Sequence, residues 1–414
     1  MLDIRFIREN PELVRDHAQK KGYTVDIDTL LKLEESRRKI QTEIDILREQ
    51  RNINAASMKG GKPSEEQISA GQQLKEDIAK KEAELSETDT AFTDLIHSVP
   101  NILQDDVPIG GEGDSVVIKE WGERPTGAKD HLDFATARDW VDFERGAKVA
   151  GAKFYYIKGD LALLENAITQ FALEYLMKKD FTYLTVPAMV NSRTATGTGF
   201  APRTSEQNDE YYIEGEDLTL IATAEIPLTG YHADEIIDES RLPLFYTALS
   251  PSFRKEAGTY GKHTRGLFRV HQFNKLEMYA FTTPEQSLEV HDKILAIEEE
   301  IWQAIGIPYH VINIASGDLG APATKKYDIE YWSPVDGTFR ELTSASNCTD
   351  FQARNLNIRV RGQDGNVRVL HTLNGTAVSL ARSLVAILEH YQNEDGTLRV
   401  PPVLQPYMGG RAVL

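Results

Sequence analysis

Cysteine is almost absent from this sequence, and Cys348 is the single example. One cysteine excludes an intrachain disulfide and any zinc site built from several thiolates. Long apolar runs are missing as well, since no stretch approaches the ~18 residues that a membrane-spanning helix requires. The opening MLDIRFIRENPE lacks the apolar segment of a signal peptide. We therefore expect a cytoplasmic protein with no structural zinc and no membrane partner.

Basic residues are scarce relative to acidic ones. The chain has 46 Lys and Arg against 64 Asp and Glu, which gives a formal net charge of −18. Nonspecific affinity for nucleic acid comes from basic surface, so this composition argues against a general DNA-binding protein. Any nucleic-acid partner must be met by a local basic patch. The 414 residues, 41% hydrophobic and 27% charged, suit a globular protein with room for two domains.

Two long helices with heptad spacing are predicted between residues 30 and 100. Positions at steps of three and four through 30–54 are Leu or Ile in five of eight cases, and apolar residues follow the same spacing from Leu74 to Val99. Between them, Gly and Pro interrupt the pattern, and Ser64 to Gln67 forms a capping box for the second helix. Helices of about 28 residues would be ~42 Å long. The pattern therefore predicts an antiparallel coiled-coil arm within an N-terminal domain, residues 1–100.

The predicted tip of this arm carries excess positive charge. Arg48, Arg51, Lys59 and Lys62 are accompanied by a single acid, Glu49. Such a cluster suits contacts with the phosphates of a nucleic acid. A spacer or a dimerising coiled coil with ordinary solvated charges is the alternative, and the residues alone leave both open.

Strands and helices resume after a region rich in Pro, Gly and Asp. Residues 101–130 predict a connector that contains one short strand, VVIKEW, and a second domain is expected from residue 131 to residue 414. Within it, residues 160–176 form an amphipathic helical pattern. The following Thr185-Val186-Pro187 indicates an edge strand, because proline cannot donate to a sheet ladder.

Opposite charges concentrate in FRKEAGTYGKHTRGLFRVHQFNKLE, residues 253–277. Alternation in 267–273 predicts a strand, and with 245–253 it predicts a long hairpin. On that strand Arg269 and Phe273 would share one face, and Phe268 and Val270 the other. Arginine and glutamate are rarely buried unless paired, so their convergence here indicates a polar site. A solvated hairpin of mixed charge is the alternative.

A second unusual cation lies in HTLNGTAVSLARSLVAILEHYQ, residues 371–392. Asn374-Gly375 predicts a turn, Thr376 an N-cap, and residues 377–391 a helix that is apolar almost all round. Arg382 lies in the middle of that helix. An unpaired buried arginine costs several kcal/mol, so an anion must compensate it. Either a bound ligand or an internal salt bridge would do so.

These segments resemble the signature motifs of class II aminoacyl-tRNA synthetases, and FRKEAGTYGKHTRGLFRVHQF is similar to the wording in seryl-tRNA synthetases. Two departures are His263, where the family has an acid, and Ala377, where it has glycine. The resemblance implies an α+β fold in which the arm precedes a catalytic domain with an antiparallel sheet flanked by helices. It implies that motif one lies near 165–190, motif two near 245–277 and motif three near 371–391.

The resemblance also implies an activity. A serine–tRNA ligase activates L-serine with ATP to seryl-adenylate, releases pyrophosphate, and transfers the seryl group to tRNA(Ser), with selenocysteine tRNA as a further acceptor. The family holds the long variable arm of its tRNA with the coiled coil, across a homodimer whose interface includes the motif-one proline, here Pro187.

The site residues implied by the resemblance fall into five groups. The catalytic set is Arg254, Arg269 and Arg382. The L-serine set is Thr223, Ala224, Glu225, Arg254, Glu277 and Thr376. The ATP set is Arg254, Lys255, Glu256, Arg269, Val270, Phe273, Glu341, Leu342, Thr343, Ser344 and Arg382. The Mg²⁺ ligands are Glu341 and Ser344, which offer hard oxygen donors. The tRNA set is Arg48, Arg51, Lys59, Lys62, Lys262 and Arg265.

Several of these assignments have simpler alternatives. Thr223-Ala224-Glu225 alone predicts a helix start, and ELTSASN alone could be any polar loop. Two other functions also remain: an amino acid:carrier-protein ligase on the same core, and a non-catalytic scaffold with a decayed synthetase domain. The single cysteine and the arm argue against the first, and the complete set of charged residues argues against the second.

Overall fold

The structure is a computed structural model, which describes residues 1–59, 62–199, 210–256 and 265–414. The chain divides into two compact units. The smaller comprises Leu2–Gln19 and Tyr23–Val99, and the larger comprises Met1, Lys20–Gly22 and Pro100–Leu414. None of the helices in the described part of the chain combines the length and apolar content that a bilayer crossing demands.

The smaller unit is a helical hairpin preceded by two short helices. The helices are α1 (Ile4–Glu9), α2 (Pro11–Lys20), α3 (Ile27–Ser57) and α4 (Glu65–His97). Ion pairs join the two long helices: Arg48 Nη2 lies 2.7 Å from Glu82 Oε1, and Arg37 pairs with Asp89. Residue numbers rise along α3 as they fall along α4, so the helices are antiparallel. The predicted coiled-coil arm is confirmed.

Packing and capping in this hairpin follow the sequence pattern. Ile40 and Ile44 of α3 and Ile78 of α4 are buried on the facing stripes. At the start of α4, Gln67 N–H donates to Ser64 Oγ (3.2 Å) and Ser64 N–H donates to Gln67 Oε1 (2.9 Å). This reciprocal arrangement is the capping box predicted from the sequence.

The larger unit contains an eight-stranded sheet. In spatial order its strands are β1 (Val116–Trp121), β10 (Tyr309–Asn313), β11 (Lys325–Ser333), β12 (Thr338–Thr349), β15 (His371–Ser379), β9 (Gln272–Thr282), β8 (Leu244–Phe253) and β4 (Thr182–Tyr183). All neighbours are antiparallel except β4 and β8. The antiparallel core expected for the class is therefore present, with one parallel edge strand. Residues 101–130, predicted as a connector, contribute the opposite edge strand β1.

Shorter strands form three smaller sheets. They are β2 (Val141–Asp142) with β3 (Tyr156–Ile157), β5 (Met189–Val190) with β6 (Thr219–Leu220), and β7 (Ile236–Asp238) with β13 (Arg359–Arg361) and β14 (Val367–Val369). The helices of this unit are α5 (His131–Ala137), α6 (Phe143–Ala150), α7 (Gly159–Met177), α8 (Ser192–Gly197), α9 (Glu225–Gly230), α10 (Ser287–Ile305), α11 (Phe351–Asn355) and α12 (Leu380–His390).

Helix α10 packs closely against the middle of the large sheet. A Cβ on Gly375 of β15 would lie 2.3 Å from Ile294 Cγ2 and 2.8 Å from Glu298 Oε1, two side chains of α10. Glycine is therefore required for the helix to approach the strand. Beneath the sheet, α7, α10 and α12 bury their apolar side chains in one continuous core.

Local predictions are wrong at three places. Both hairpin strands exist, but residues 267–271 are not a strand, since β9 begins at Gln272. Asn374-Gly375 is not a turn and Thr376 is not an N-cap, because β15 continues to Ser379, which is the N-cap of the helix α12 that begins at Leu380. Pro187 lies in the irregular segment between β4 and β5, next to the edge strand rather than inside it.

Candidate active site

A polar cavity of about 330 Å³ opens beside the middle strands of the large sheet. Its described lining residues are Arg254, Glu256, Phe268, Val270, Phe273, Lys275, Asp318, Lys326, Glu341, Leu342, Thr343, Ser344, Thr376, Ser379, Ala381 and Arg382. Residues from motif two, motif three and the ELTSASN segment therefore meet around one space. Most of the expected ATP residues belong to this lining; Arg269 and Lys255 do not.

Strand register explains why distant residues meet here. In β9 and β15, Glu277 is paired with Thr376, and Lys275 with Ser379. In β11 and β12, Asp328 is paired with Ser344. Directly opposite residues on neighbouring strands point to the same face. The fold thus places the side chains of Glu277 and Thr376 side by side.

A bulge in β12 aligns the two expected magnesium ligands. Glu330 is paired with Glu341 and Ile329 with Thr343, so Leu342 has no partner in β11. Glu341 and Ser344 are three residues apart, so strict alternation would place their side chains on opposite faces of the sheet. The bulge adds one unpaired residue, Leu342, and so brings both side chains to the same face. Thr343 belongs to a different environment, because its Oγ1 donates to Glu298 Oε2 at 2.8 Å.

Arg382 and Glu341 form an ion pair in the cavity wall. The distance from Arg382 Nη1 to Glu341 Oε1 is 2.9 Å, and the Glu341 side chain is 39% exposed. Burial opposes the charge on Arg382, but Glu341 overcomes this effect and raises the Arg382 pKa. Burial likewise opposes the charge on Glu341, and Arg382 and Lys326 hold the Glu341 pKa well below its usual range. The internal salt bridge that the sequence left open is present.

The motif-two arginines have partners too. Arg269 Nη1 lies 2.8 Å from Glu256 Oε2, and Glu256 adopts a positive φ of 51°. Arg254 packs over Phe273, with 5.3 Å between its Cζ and the ring centroid. Lys255 points elsewhere: its Nζ lies 5.6 Å from the centre of the Tyr211 ring. Two of the three expected ATP arginines are thus held by carboxylates.

Glu277 is the centre of a buried polar cluster beside the cavity. Its Oε2 accepts a hydrogen bond from Thr223 Oγ1 (2.9 Å) and forms an ion pair with Lys275. Lys275 Nζ lies 3.5 Å from Thr376 Oγ1. Lys275 was missed by the sequence analysis, although alternation on β9 could have found it, since it lies between Phe273 and Glu277 on the same face.

Glu225 is buried in the same region. The helix start predicted for this segment is present, because α9 begins at Glu225 and Ala224 precedes it. Glu225 Oε1 accepts hydrogen bonds from Gln352 Nε2 (2.7 Å) and Asn374 Nδ2 (2.9 Å). Burial and the nearby charge of Glu277 raise the pKa of Glu225 to about 7. A buried carboxyl group with this pKa suits a site that binds a cation.

The residues around Glu341 and Ser344 fit a magnesium ion. Mg²⁺ binds few protein oxygens and completes its octahedron with water and phosphate. Glu341 and Ser344 supply a carboxylate and a hydroxyl that line the same cavity. Asp328, opposite Ser344, is buried, and its Oδ1 has no hydrogen-bond partner among the described residues. Lys326 and Asp328 were also missed by the sequence analysis.

The expected tRNA residues lie in different surroundings. Arg51, Lys59 and Lys62 are exposed near the ends of the hairpin helices. Arg48 is in the ion pair with Glu82 described above. Arg265 pairs with Asp133, at 2.6 Å from Nη2 to Oδ1, and Lys262 falls outside the described residues.

Two family models match this chain. The tRNA synthetase class II core domain (G, H, P, S and T) matches residues 208–391, and the seryl-tRNA synthetase N-terminal domain matches residues 1–103. The core domain contains the strands and helices that form the cavity. The fold and the cavity together define a class II aminoacyl-tRNA synthetase core.

Relatives and solved structures narrow this class to one family. The serine–tRNA ligase of Dictyoglomus turgidum is 46% identical over 99% of this chain and 98% of its own length, and that of Treponema denticola is 43% identical over 99% of both. The crystal structure of seryl-tRNA synthetase from Pyrococcus horikoshii complexed with ATP aligns with a TM-score of 0.88 at 42% identity, covering 100% of this chain and 99% of that one. The chain belongs to the seryl-tRNA synthetase family.

A more distant structure has the same fold. The cytoplasmic serine–tRNA ligase from Naegleria fowleri in complex with AMP aligns with a TM-score of 0.83 at 32% identity, over 100% of this chain and 98% of that one. The fold and the family expected from the sequence are confirmed.

Proposed function

We propose that this protein is a serine–tRNA ligase that activates L-serine with ATP and transfers the seryl group to tRNA(Ser). The observation that carries the proposal is the register of β9 and β15. It brings Glu277 next to Thr376, beside a cavity whose wall holds the Arg382–Glu341 pair. A polar pocket for a small amino acid and a cationic site for phosphates thus share one sheet face.

ATP is proposed to bind in the cavity. Arg254 would clamp the α-phosphate and the serine carboxylate through its planar fork, and Arg269 and Arg382 would hold the outer phosphates. Phe273 is the proposed platform for adenine, with Glu256 facing the exocyclic amine of the base. The structures of the relatives from Pyrococcus horikoshii and Naegleria fowleri, which are complexes with ATP and AMP, support this proposal.

In the first step, a carboxylate oxygen of serine attacks the α-phosphorus, and the bond from that phosphorus to the pyrophosphate oxygen breaks. In the second step, a ribose hydroxyl of the tRNA terminus attacks the seryl carbonyl, and AMP leaves. Positioning and charge stabilisation by the arginines account for most of the rate in such a reaction. A magnesium ion held by Glu341 and Ser344 would neutralise phosphate charge when bound.

The serine pocket is proposed to consist of Thr223, Ala224, Glu225, Glu277 and Thr376. Glu225 would face the ammonium group, and Glu277 and Thr376 would hold the hydroxyl. Buried hydrogen-bonding groups reject an analogue that lacks their partner, because they would be left unpaired. Alanine should therefore be rejected more strongly than threonine, which only adds a methyl group.

The arm is proposed to hold tRNA(Ser), and selenocysteine tRNA as a second acceptor. Arg51, Lys59 and Lys62 offer exposed cations near the hairpin ends, and contacts of this type suit recognition of RNA shape. The match of residues 1–103 to the family's N-terminal domain supports the proposal. A cytoplasmic location stays a prediction.

A homodimer through the motif-one region is also proposed. β4 is the last strand of the large sheet, and Tyr183, Pro187 and Met189 in and near it are exposed. An exposed sheet edge with apolar side chains is well suited to an isologous interface. Sedimentation of the full chain should give twice the chain mass. A fully active monomer would contradict the proposed homodimer.

Two assays test the function in sequence. Serine-dependent exchange of pyrophosphate into ATP should occur with the full chain, and its absence would favour the scaffold. Charging of total tRNA with each amino acid in turn should then select serine alone. Exchange without charging would favour the carrier-protein ligase.

A further inference from the structure

Behind the cavity, a buried histidine joins motif two to motif three. His131 begins α5 and is 1% exposed. Its Nε2 accepts a hydrogen bond from the backbone N–H of Leu267 at 3.3 Å, and its Nδ1 lies 3.3 Å from Glu389 Oε1. An Nε2 that accepts an N–H carries no proton, so the ring proton lies on Nδ1 and is donated to Glu389.

Residues 265–267 are in direct contact with the start of α5, and Gly266 and Leu267 contact the histidine itself. Gly266 has a positive φ of 64°, and a Cβ there would lie 2.4 Å from His131 Nε2. The neighbouring Arg265 pairs with Asp133 of α5. Residues 265–267 are therefore held against the start of α5 by an ion pair, a close backbone contact and a hydrogen bond. No side chain fits at Gly266.

Glu389 holds the other side of the histidine. This carboxylate, near the end of α12, is fully buried, and its Oε2 accepts hydrogen bonds from Ser333 Oγ (2.8 Å) and Tyr331 OH (3.2 Å). Arg340 Nη1 lies 3.6 Å from Glu389 Oε1. Donors from β11, β12 and α5 thus converge on a residue of α12, the helix that also carries Arg382.

The hydrogen bonds of His131 connect Glu389 to the segment that lines the cavity. Leu267 precedes Phe268, Arg269 and Val270, and Phe268 and Val270 line the cavity. The Phe268 ring is contacted by two guanidinium groups, with its centroid 5.0 Å from Arg382 Cζ and 5.7 Å from Arg340 Cζ. Residues 267–271 are not in a strand. The Leu267 N–H bond to His131 holds the start of this segment, and its end is held at His271, whose O accepts from the Arg254 N–H (3.0 Å) and whose N–H donates to Lys153 O (3.3 Å).

We infer that His131 is a positioning residue for ATP. Through the Leu267 N–H, and oriented by Glu389, it fixes the segment that presents Phe268 and Arg269 to the nucleotide. The inference rests on the proposed ATP-binding role of this segment. It predicts that losing the acceptor at Nε2 weakens ATP binding and leaves serine binding nearly unchanged.

The test compares two polar replacements of different reach. His131→Gln can place an acceptor near the position of Nε2, whereas His131→Asn reaches only the position of Nδ1. We expect His131→Asn to raise the Kd for ATP roughly tenfold, as one unsatisfied buried N–H implies. His131→Gln should stay within about threefold of the parent chain. Serine KM in the exchange assay should change less than about twofold in both.

Two controls separate positioning from general stability. His232→Asn removes a different buried histidine, which has Glu235 at Nδ1 (2.7 Å) and Tyr246 at Nε2 (3.0 Å). It should lower Tm without changing the Kd for ATP. Equal ATP binding by the Gln and Asn variants of His131, or equal loss of serine and ATP affinity, would overturn the inference.

A glycine pair provides a second test if His131→Asn does not fold. Gly266→Ala would push the returning chain away from His131 and should raise the Kd for ATP. Gly365→Ala introduces a side chain at a similar φ of 81° with no neighbour within 4 Å, so it controls for backbone strain. Equal effects of the two on ATP binding would contradict the inference. ATP binding is measured by calorimetry, so the result stands even if serine-dependent exchange, and with it the proposed function, fails.

Discussion

Two parts of the site hold their charges in different ways. The arginine part comprises Arg254, Arg269 and Arg382 with the carboxylates Glu256 and Glu341. Arg382 and Glu341 pair in the cavity wall with side chains 14% and 39% exposed, and Arg269 and Glu256 pair with side chains 31% and 9% exposed. Each pair therefore has one accessible partner, which a phosphate or a cation can reach.

The carboxylate part comprises Glu225 and Glu277 with Thr223, Lys275 and Thr376. Here Glu277 is 1% and Glu225 6% exposed, and hydroxyl, amide and ammonium groups surround them. Buried polar groups must keep their partners, so this part can accept only a ligand that replaces those hydrogen bonds. From this contrast we expect the arginine part to determine ATP binding and the rate of serine activation, and the carboxylate part to determine selectivity among amino acids.

The largest expected effect comes from breaking the arginine part. Arg382→Ala should lower the kcat/KM for ATP in serine-dependent exchange by roughly 10³-fold, since arginines on transferred phosphoryl groups contribute effects of this size. Arg411→Ala, which removes an ion pair with Asp160 away from the cavity, serves as the control and should leave exchange unchanged. Retained exchange in a strongly destabilised Arg382 variant would show that the pair with Glu341 is only structural.

A change in the carboxylate part should alter selectivity. Glu277→Gln removes a charge that holds Lys275 and should lower the kcat/KM for serine by roughly 100-fold, while barely changing the small activity toward alanine. Thr376→Ser makes room for a methyl group and should relax discrimination against threonine more than against alanine. Competition assays with serine, threonine and alanine measure both. Equal loss for all three amino acids would mean that these residues only shape the pocket.

The pKa of Glu225 predicts a pH dependence for serine alone. With a pKa of about 7, the Glu225 carboxylate is protonated as pH falls, and if it faces the serine ammonium as proposed, the KM for serine should rise about tenfold between pH 8 and pH 6. Glu225→Gln should flatten this profile, and the KM for ATP provides the internal comparison. A parallel change in both KM values would contradict the assignment.

The same pKa has a consequence for stability with the opposite sign. The folded chain binds the Glu225 proton more tightly than the unfolded chain, whose ordinary value is 4.5. Glu225 therefore contributes stability below about pH 4.5, and this contribution is lost as pH rises through about 7. Glu225→Gln should remove that part of the decrease in the free energy of unfolding.

The smallest effect is expected outside the cavity. Replacing Arg51 and Lys59 by alanine should raise the KM for tRNA only a few-fold and reduce the slope of log K against log salt by about two. Exchange of pyrophosphate without tRNA should be unaffected. A substitution of Glu35 and Glu76, exposed acids on the arm helices, is the matched control for surface charge. If the arginine and lysine changes lower exchange as well, the proposed role of the arm is wrong.

Sequence patterns predicted the arm and the two hairpin strands, because each depends on local spacing, whereas most cavity residues were expected only from the resemblance to class II synthetases. They failed where tertiary packing decided. Gly375 looked like a turn residue, yet it lies within a continuous strand. It is glycine because α10 approaches too closely for any side chain. Phe268 was assigned to the face opposite Arg269 and Phe273 because alternation was assumed through 267–273. Residues 267–271 are not a strand, and the Leu267 N–H is bonded to His131 instead. The pairing of Glu277 with Thr376 depends on strand register, and the pair of Arg382 with Glu341 depends on how α12 lies against the sheet, and no local pattern specifies either.

The contact between Gly375 and α10 has a consequence for the proposed serine pocket. Thr376 follows Gly375 directly, so we expect the distance between helix and strand to set how far the Thr376 hydroxyl extends toward the cavity. Ile294 and Glu298 should then influence the dimensions of this pocket, although neither is among its proposed residues. A search for variants that accept a larger amino acid should include Ile294→Val, since a thinner layer behind the sheet would let the pocket wall retreat without changing any group that contacts the substrate.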